Sequence, residues 1–247
     1  MDLNLIPFSF PGAPRVKCAF QTRRGGASAG PFAQGNFSLD VGDHREDVLK
    51  NRKALMDQSG CAVCQELKQI HGVDMLFDPH PQGPCDRGSI EADGSATSRP
   101  SLALVIKTAD CQPLMLAHTS GKYIAALHVG WRGNVQKFPL SGVRAFCERY
   151  SLDPAEVMAA RGPSLGPGAS EFRNFSEEFG SEFEKYFNEE TRRVDLWRLT
   201  RDQLIEAGLR PDNIFSLDLC TYSLGEWFFS YRRDKECGRH ANVIWIS

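Results

Sequence analysis

The sequence lacks a surplus of charge of either sign. Its 247 residues contain 29 lysines and arginines against 31 aspartates and glutamates, which gives a formal net charge of -2. Proteins that coat nucleic acids or bind anionic membrane surfaces depend on a clear excess of basic residues. We therefore predict that the partners of this protein are neither nucleic acids nor membranes.

Long hydrophobic runs are missing as well. The longest apolar run covers residues 102–106, whereas a membrane helix needs about 20 such residues. The first residues carry no basic leader, and Pro7 and Pro11 interrupt their apolar stretch, which argues against a secretory signal. The eight cysteines are scattered along the chain, so we predict reduced thiols in a cytoplasmic protein.

The composition is that of an ordinary globular protein, with 41% hydrophobic and 24% charged residues. We predict a single domain over residues 1–247. Patterns of β-forming residues and turn residues predict strands over 16–22, 102–107, 114–117, 123–129, 156–160, 214–217, 227–231 and 243–246. Helical spacing predicts helices over 43–58, 135–149, 171–187 and 196–207.

Strands and helices alternate irregularly in this pattern, which favours an α+β layered fold over a doubly wound α/β sheet. The strands at 102–107, 114–117 and 123–129 are expected to be adjacent in the sheet. The helix at 171–187 places five phenylalanines on one face, which is typical of a core-facing stripe. The stretch 80–100 is rich in proline and glycine and is predicted to be a loop or hairpin region.

Two histidines and one cysteine stand beside tight turns. They are His71 in Gln-Ile-His-Gly, Cys111 in Thr-Ala-Asp-Cys and His128 in His-Val-Gly-Trp-Arg-Gly. Imidazole and thiolate are the ligands that Zn²⁺ prefers, and three protein ligands leave a fourth position open, as in catalytic zinc sites. Because the spacing matches no local zinc template, an inert buried thiol with two backbone-bonded histidines remains an alternative.

These motifs resemble the YfiH/laccase-domain family, once labelled multicopper polyphenol oxidases. Matching stretches follow in chain order at 20–26, 36–43, 91–94, 162–167 and 228–234, so that the resemblance runs from about residue 19 to 246. Two departures stand out. Residues Gly168-Ala169-Ser170 replace the usual Cys-Cys-Tyr, and Gln112 occupies a position where an aliphatic residue is common.

The resemblance implies a layered αββα-type sandwich of mixed sheets. It also implies a metal site on His71, Cys111 and His128, holding zinc, with copper as the alternative. The implied activity is phosphorolysis of adenosine, inosine, guanosine or methylthioadenosine, together with adenosine deamination. In bacterial members a further implied role is the editing of peptidoglycan precursors that carry the wrong amino acid.

Several further residues are candidates for this chemistry, each with a structural alternative. Phosphate needs cationic donors, for which Arg23, Arg132 and Arg232 are the candidates, with solvated surface arginines as the alternative. Asp110 would shuttle a proton during deamination or else stabilise a turn. Trp131 would stack on the purine or pack internally, and Asn36 would orient the substrate or bond to the backbone. The oligomeric state is left open.

Three rival functions use the same residues differently. Cys111 would be the nucleophile of a cysteine hydrolase, with His71 or His128 as base and Asp110 as the orienting group. A copper oxidase is disfavoured because six scattered histidines are too few for coupled copper centres. A structural zinc module would have a closed fourth coordination position.

Overall fold

Two β-sheets, of five and six strands, form the centre of the computed structural model, which describes residues 2–83 and 85–247. In chain order the strands are β1 Leu5–Ser9, β2 Val16–Gln21, β3 Val63–Glu66, β4 Met75–Phe77, β5 Gly94–Thr97, β6 Leu102–Thr108, β7 Gln112–His118, β8 Ile124–Val129, β9 Val157–Arg161, β10 Phe187–Asn188, β11 Arg193–Val194, β12 Ile214–Ser216 and β13 His240–Ile246. The α-helices are α1 Arg45–Ser59, α2 Trp131–Val135, α3 Phe138–Tyr150, α4 Phe175–Glu178, α5 Leu196–Glu206 and α6 Tyr231–Asp234.

Both large sheets are mixed. The first has the strand order β1-β2-β13-β6-β3, in which β3 and β6 are parallel and the other neighbours antiparallel. The second has the order β12-β9-β7-β8-β5-β4, with β12–β9 and β4–β5 parallel. Strands β10 and β11 form a separate antiparallel ribbon.

The two sheets pack face to face, and helices cover their outer faces. Alternate residues of β6, such as Leu104, join Met115 of the second sheet in a shared core, whereas Val105 points the other way and packs with Leu55 of α1. On the far side of the second sheet, Leu116 packs with residues of α3 and α5. The implied αββα sandwich is therefore confirmed, and burial on both faces explains the continuous hydrophobic runs of β6 to β8.

The expectation that the three central strands are adjacent is wrong for the first of them. Strand β6 belongs to the first sheet, whereas β7 and β8 pair with each other in the second. The short segment Ala109–Asp110–Cys111 carries the chain from one sheet to the other. Local hydrophobicity could not reveal this crossing, because strands of both sheets are equally buried.

The prediction of one long helix over 171–187 is also wrong. The chain forms α4, becomes extended at Phe179, and then makes a 3₁₀ helix over Ser181–Tyr186 that starts after Gly180. The phenylalanines nevertheless share one buried cluster, so their predicted core role is confirmed. Gly180 interrupts the helix because glycine has a low helix propensity. The phenylalanine rings pack against one another instead of lining one face of a helix.

Other boundaries differ in instructive ways. The predicted strand at 227–231 is a turn that leads into α6, where the Ser230 side chain accepts a hydrogen bond from the Arg233 N–H. The predicted loop at 80–100 contains β5. The helix predicted over 135–149 is α3, which begins at Phe138 with Pro139 in its first turn. In the described residues, none of the helices has the length and apolar character needed to cross a membrane.

Candidate metal centre

Three side chains come together in the second sheet where β7 begins and β8 ends: those of His71, Cys111 and His128. One ligand atom from each lies within 4.8 Å of the others, and the Cys111 Sγ is 3.9 Å from the His71 Nε2. The two imidazole rings are 4.9 Å apart, edge to face. His128 is buried, Cys111 is half-buried and His71 is exposed. The cluster is therefore closed on one side and open to solvent on the other.

Strand pairing brings Cys111 and His128 together. Strands β7 and β8 are antiparallel, with Gln112 opposite Val129, so Cys111, just before β7, lies beside the end of β8. Gly130 leaves the necessary space. A Cβ added at Gly130 would lie 3.1 Å from the Cys111 Sγ and 3.2 Å from the His71 Cδ2. A side chain at position 130 would therefore crowd two of the three candidate ligands.

Asp93 holds both histidines in place. Its carboxylate accepts hydrogen bonds from the backbone N–H groups of Ile70, His71 and Gly72 at 3.1, 3.0 and 2.7 Å. It also accepts from the His128 Nδ1 at 2.7 Å. This bond fixes the His128 tautomer, so that its Nε2 is left for a metal. Asp93 also supports His71 in a left-handed conformation, with φ 62°.

Sequence reasoning did not assign a role to Asp93. The signal was present, because Asp93 belongs to the Glu-Ala-Asp-Gly stretch that carries part of the family resemblance. It directly precedes β5, whose residue Gly94 pairs with Leu127 of β8, so it lies next to His128. Only the pairing of β5 with β8 reveals that contact, since the two residues are 35 positions apart.

The electrostatics favour a thiolate at Cys111. Burial alone would raise the pKa of this thiol, but the charge and hydrogen bonds of His128 and His71 lower it to about 6. Burial alone would lower the pKa of His128, but Cys111 and Asp93 raise it to about 9. The pair thus favours a thiolate beside an imidazolium at neutral pH, and binding of a metal cation would displace the proton from His128.

The donor set suits a transition metal. Two imidazoles and one thiolate form a donor set that zinc would accept with a fourth position left open, and the exposed His71 gives this set a side that faces solvent. The residues present therefore fit the metal that the family resemblance implies.

The sequence of the whole chain points to the same family. The profile of the family described as "Multi-copper polyphenol oxidoreductase laccase" matches residues 17–247. The chain belongs to this laccase-like family.

Its relatives within the laccase-like family are similar over almost their full length. The purine nucleoside phosphorylase YfiH of Escherichia coli is 32% identical and covers 98% of this chain and 99% of its own. A purine nucleoside phosphorylase of Xylella fastidiosa is 35% identical, with 96% and 95% covered. The crystal structure of a Neisseria meningitidis protein has a TM-score of 0.86 at 28% identity and covers 99% of both chains.

Asp110, next to the candidate ligand Cys111, is occupied by structural bonds. One carboxylate oxygen accepts from the Thr221 hydroxyl at 2.7 Å and the other from the Arg232 N–H at 2.6 Å. Asp110 therefore ties the start of α6 to the segment that enters the metal cluster. The orienting carboxylate beside His128 is Asp93, not Asp110.

Trp131 and Arg132 follow Gly130 at the start of α2. Trp131 is half-buried and packs against Phe172 and Phe179, with ring centroids 5.8 and 5.7 Å away. Arg132 is exposed, and its guanidinium lies 4.4 Å from the centre of the Trp131 ring. Arg132 thus presents a solvent-accessible cation two residues after Gly130, which contacts the candidate ligands.

The three remaining predicted residues have internal partners. Arg23 donates to the carbonyls of Ala33 and Gly225, and burial lowers its pKa. Asn36 is fully buried, and its side chain bonds to Ser38, Asp43 and Arg239. Arg232 donates to the Glu171 carbonyl at 2.6 Å. These side chains organise the loops of residues 20–43 and 220–239. Asn36 bonds to the backbone, as its structural alternative stated, whereas Arg23 and Arg232 are half-buried and bonded to carbonyls and are not the solvated surface arginines of theirs.

Proposed function

We propose that this protein is a zinc-dependent purine nucleoside phosphorylase that also deaminates adenosine. The observation that carries the proposal is the open cluster of His71, Cys111 and His128, whose ligand atoms lie within 4.8 Å of one another. It is supported by the near full-length similarity to relatives named purine nucleoside phosphorylases. We propose adenosine, inosine, guanosine and methylthioadenosine as substrates, inorganic phosphate as cosubstrate, and the cytoplasm as location.

His71, Cys111 and His128 would hold the cation, with Asp93 orienting both imidazoles. Zinc bound there would supply a Lewis acid beside the open face, and copper is the alternative metal. The Cys111 thiolate would balance part of the positive charge of the cation, and the lowered pKa of this thiol favours the ligating form at neutral pH.

Arg132 is our candidate for holding phosphate. Phosphorolysis requires a phosphate oxygen to be held against the ribose carbon while the glycosidic bond breaks. The Arg132 guanidinium is exposed and stacks on Trp131, which restricts its motion and leaves its edge free to bind an anion. We propose that Trp131 supports Arg132, and that Arg23, Asn36 and Arg232 shape the surrounding loops.

Adenosine deamination needs a group that delivers a proton to the departing ammonia. Asp110 stays our candidate from sequence, although both of its oxygens already accept hydrogen bonds. A second candidate is His71, because its ring lies on the exposed side of the cluster.

A cysteine hydrolase is the second candidate function, favoured by one specific arrangement. The Cys111 thiol contacts His128, and His128 contacts the Asp93 carboxylate. This spatial order of thiol, base and orienting carboxylate is that of a nucleophilic triad. Such an enzyme would cleave an acyl or peptide bond, for example in a peptidoglycan precursor. It would need no metal.

One experiment separates these functions. Protein of defined metal content is incubated with adenosine, inosine and methylthioadenosine, with and without phosphate, and the products are identified by mass. We expect free base and a sugar 1-phosphate only with phosphate: ribose 1-phosphate from adenosine and inosine, and 5-methylthioribose 1-phosphate from methylthioadenosine. We also expect inosine from adenosine. Activity should disappear with a chelator and return with zinc. Unchanged nucleosides in every reaction would refute the proposal. Cleavage of an acyl or peptide substrate by the metal-free protein, abolished by alkylation, would favour the hydrolase.

A further inference from the structure

We propose a second binding site, for a small sugar phosphate, in a cavity beside α5 and the ends of β9 and β12. The cavity has a volume of about 260 Å³, slightly below the range of about 300–1,000 Å³ that is usual for drug-sized ligands. Its walls include Arg161, Arg198, Arg201, Trp197, Ser216 and Asp218. No wall residue belongs to the metal cluster, so the site is independent of the proposed nucleoside chemistry.

The position of the cavity in the fold suits a ligand. Strands β9 and β12 are parallel neighbours, and their last residues, Arg161 and Ser216, are register partners. Both residues line the cavity together with Ile214 and Phe215, so the cavity runs along β12 and includes the carboxyl ends of the two parallel strands. Ligands of open sheets bind preferentially at such ends, where side chains from different strands converge.

Arg161 is a buried cation held in a fixed orientation. It is 4% exposed, and its guanidinium donates to the Asp218 carboxylate, to the Ser164 hydroxyl at 3.1 Å and to the Gly162 carbonyl. It also stacks on Trp197 at 4.1 Å, and the Trp197 Nε1 donates to the same Ser164 hydroxyl at 2.9 Å. A guanidinium fixed in this way loses little freedom when it binds an anion.

The charges around the cavity favour an anion. Arg198 and Arg201 lie on exposed positions of α5, and within the described residues neither forms an ion pair. The Arg198 guanidinium lies 5.7 Å from the centre of the Tyr186 ring, so Arg201 is the less constrained of the two. The two wall carboxylates are already engaged, Asp195 with the Arg198 N–H at 2.9 Å and Asp218 with Arg161. The cavity wall thus contains three arginines and two aspartates, and this excess of positive charge favours a phosphate group.

Asp218 indicates the chemistry of the part of the ligand that is not phosphate. Its side chain is 64% exposed even though it pairs with Arg161, so it can accept a further hydrogen bond. A sugar hydroxyl is a suitable donor, and the cavity is small enough to favour a sugar phosphate over a larger nucleotide.

The test is calorimetric titration of the full-length, zinc-loaded protein with ribose 5-phosphate, which contains no purine. We expect binding that weakens with added salt, and a dissociation constant raised about tenfold in Arg201→Ala and in Arg198→Ala. Both positions are exposed, so these variants should fold normally. The control Arg144→Ala removes an exposed arginine of α3 and should leave the dissociation constant unchanged.

The fluorescence of Trp197, a wall residue, reports binding in the cavity. Ribose 5-phosphate should change the tryptophan fluorescence of the wild-type protein but not that of Trp197→Phe. Equal binding by the wild type, Arg198→Ala and Arg201→Ala would overturn the site. Equal binding of ribose, which lacks the phosphate, would also overturn it. Inorganic phosphate that binds as tightly as ribose 5-phosphate would overturn the assignment to a sugar phosphate.

Discussion

At the scale of single residues, Asp93 is the group on which the metal cluster most depends. Asparagine has nearly the same side-chain shape but lacks the negative charge. The carboxylate of Asp93 orients His128 and accepts hydrogen bonds from three backbone N–H groups. We expect Asp93→Asn to weaken zinc binding about 10- to 100-fold, as loss of such a supporting group does. Competition with a chromogenic chelator measures this.

The matched control for that substitution is Asp74→Asn. Asp74 is exposed and offers only its backbone carbonyl, which accepts from the Asp93 and Gly94 N–H groups. Its zinc affinity should equal that of the wild type. If Asp93→Asn binds zinc as tightly as this control does, Asp93 has no part in the metal site.

Gly130 tests the packing of the cluster. In Gly130→Ala the new methyl would lie 3.1 Å from the Cys111 Sγ, tighter than an ordinary contact, so the ligands must move apart. We expect zinc affinity to fall about tenfold, because small displacements of positioned groups are costly. At Gly133 in α2 the nearest atom is 3.7 Å away, so Gly133→Ala should bind zinc normally. Equal affinities in the two variants would contradict the geometry.

The three candidate ligands could be selected from residue types and from the family resemblance, whereas the residue that supports them could not. His71, Cys111 and His128 combine residue types with metal-binding chemistry and turn-adjacent positions, both of which are local properties. Asp93 acts through strand pairing and through hydrogen bonds to backbone at 70–72, which no local pattern encodes. The internal bonds of Asn36 and Arg23 depend likewise on chain segments that meet only in the folded protein.

At the scale of elements, His240 joins β13 to its surroundings. Its Nδ1 donates to the Thr108 carbonyl at 3.1 Å, and its Nε2 accepts from the Phe229 N–H at 2.9 Å. Burial, with smaller contributions from neighbouring arginines, lowers the pKa of His240 to about 3. The folded protein therefore keeps this ring neutral at pH values where the unfolded chain, with a histidine pKa near 6.5, takes up a proton.

This difference sets the sign of a pH effect. Between about pH 6.5 and pH 3 the unfolded state binds the additional proton, so the unfolding free energy decreases as the pH falls. One such group contributes up to about 1.4 kcal/mol per pH unit. Denaturant titrations should show a shallower dependence in His240→Gln than in the wild type. The exposed control His80→Gln should retain the wild-type slope, and an unchanged slope in His240→Gln would refute the assignment.

Elements with strong local signals were predicted close to their observed bounds. Helix α1 ends at Gly60, a left-handed cap with φ 72°, and α5 begins after Asp195, whose side chain accepts from the Arg198 N–H. The phenylalanine stripe misled because spacing of three and four residues also suits rings that stack on one another. Strand β1 was missed because Pro7 lies within it, which is tolerated at the edge of the first sheet.

At the scale of the whole molecule, the candidate ligands come from three separate places. His71 lies in the loop between β3 and β4, Cys111 in the crossing between the sheets, and His128 in β8. A metal that joins these segments binds the folded state only and must stabilise it. Zinc at 100 times its dissociation constant adds about 2.7 kcal/mol to the unfolding free energy.

We therefore expect zinc to raise the melting temperature of the wild type and to leave that of Cys111→Ala unchanged. Cys85 is exposed, so Cys85→Ala should respond to zinc as the wild type does. A similar rise in Cys111→Ala would place the stabilising metal elsewhere.

The layered fold itself was accessible only in part. Hydrophobic runs in the middle of the chain revealed buried strands, and the family resemblance implied a layered sandwich, but neither predicted that β6 lies in a different sheet from β7 and β8. Pairing between distant strands, such as β13 with both β2 and β6, depends on contacts more than a hundred residues apart. Periodicity within a short window carries no information about such contacts.

The most direct measurement is anomalous diffraction at the zinc absorption edge from crystals of zinc-reconstituted protein. A single strong peak should lie about 2.3 Å from the Cys111 sulfur and about 2.0–2.1 Å from a nitrogen of each of His71 and His128, with the fourth position facing solvent. An empty space between these three side chains in zinc-saturated protein, with the anomalous signal elsewhere, would contradict the proposed metal centre.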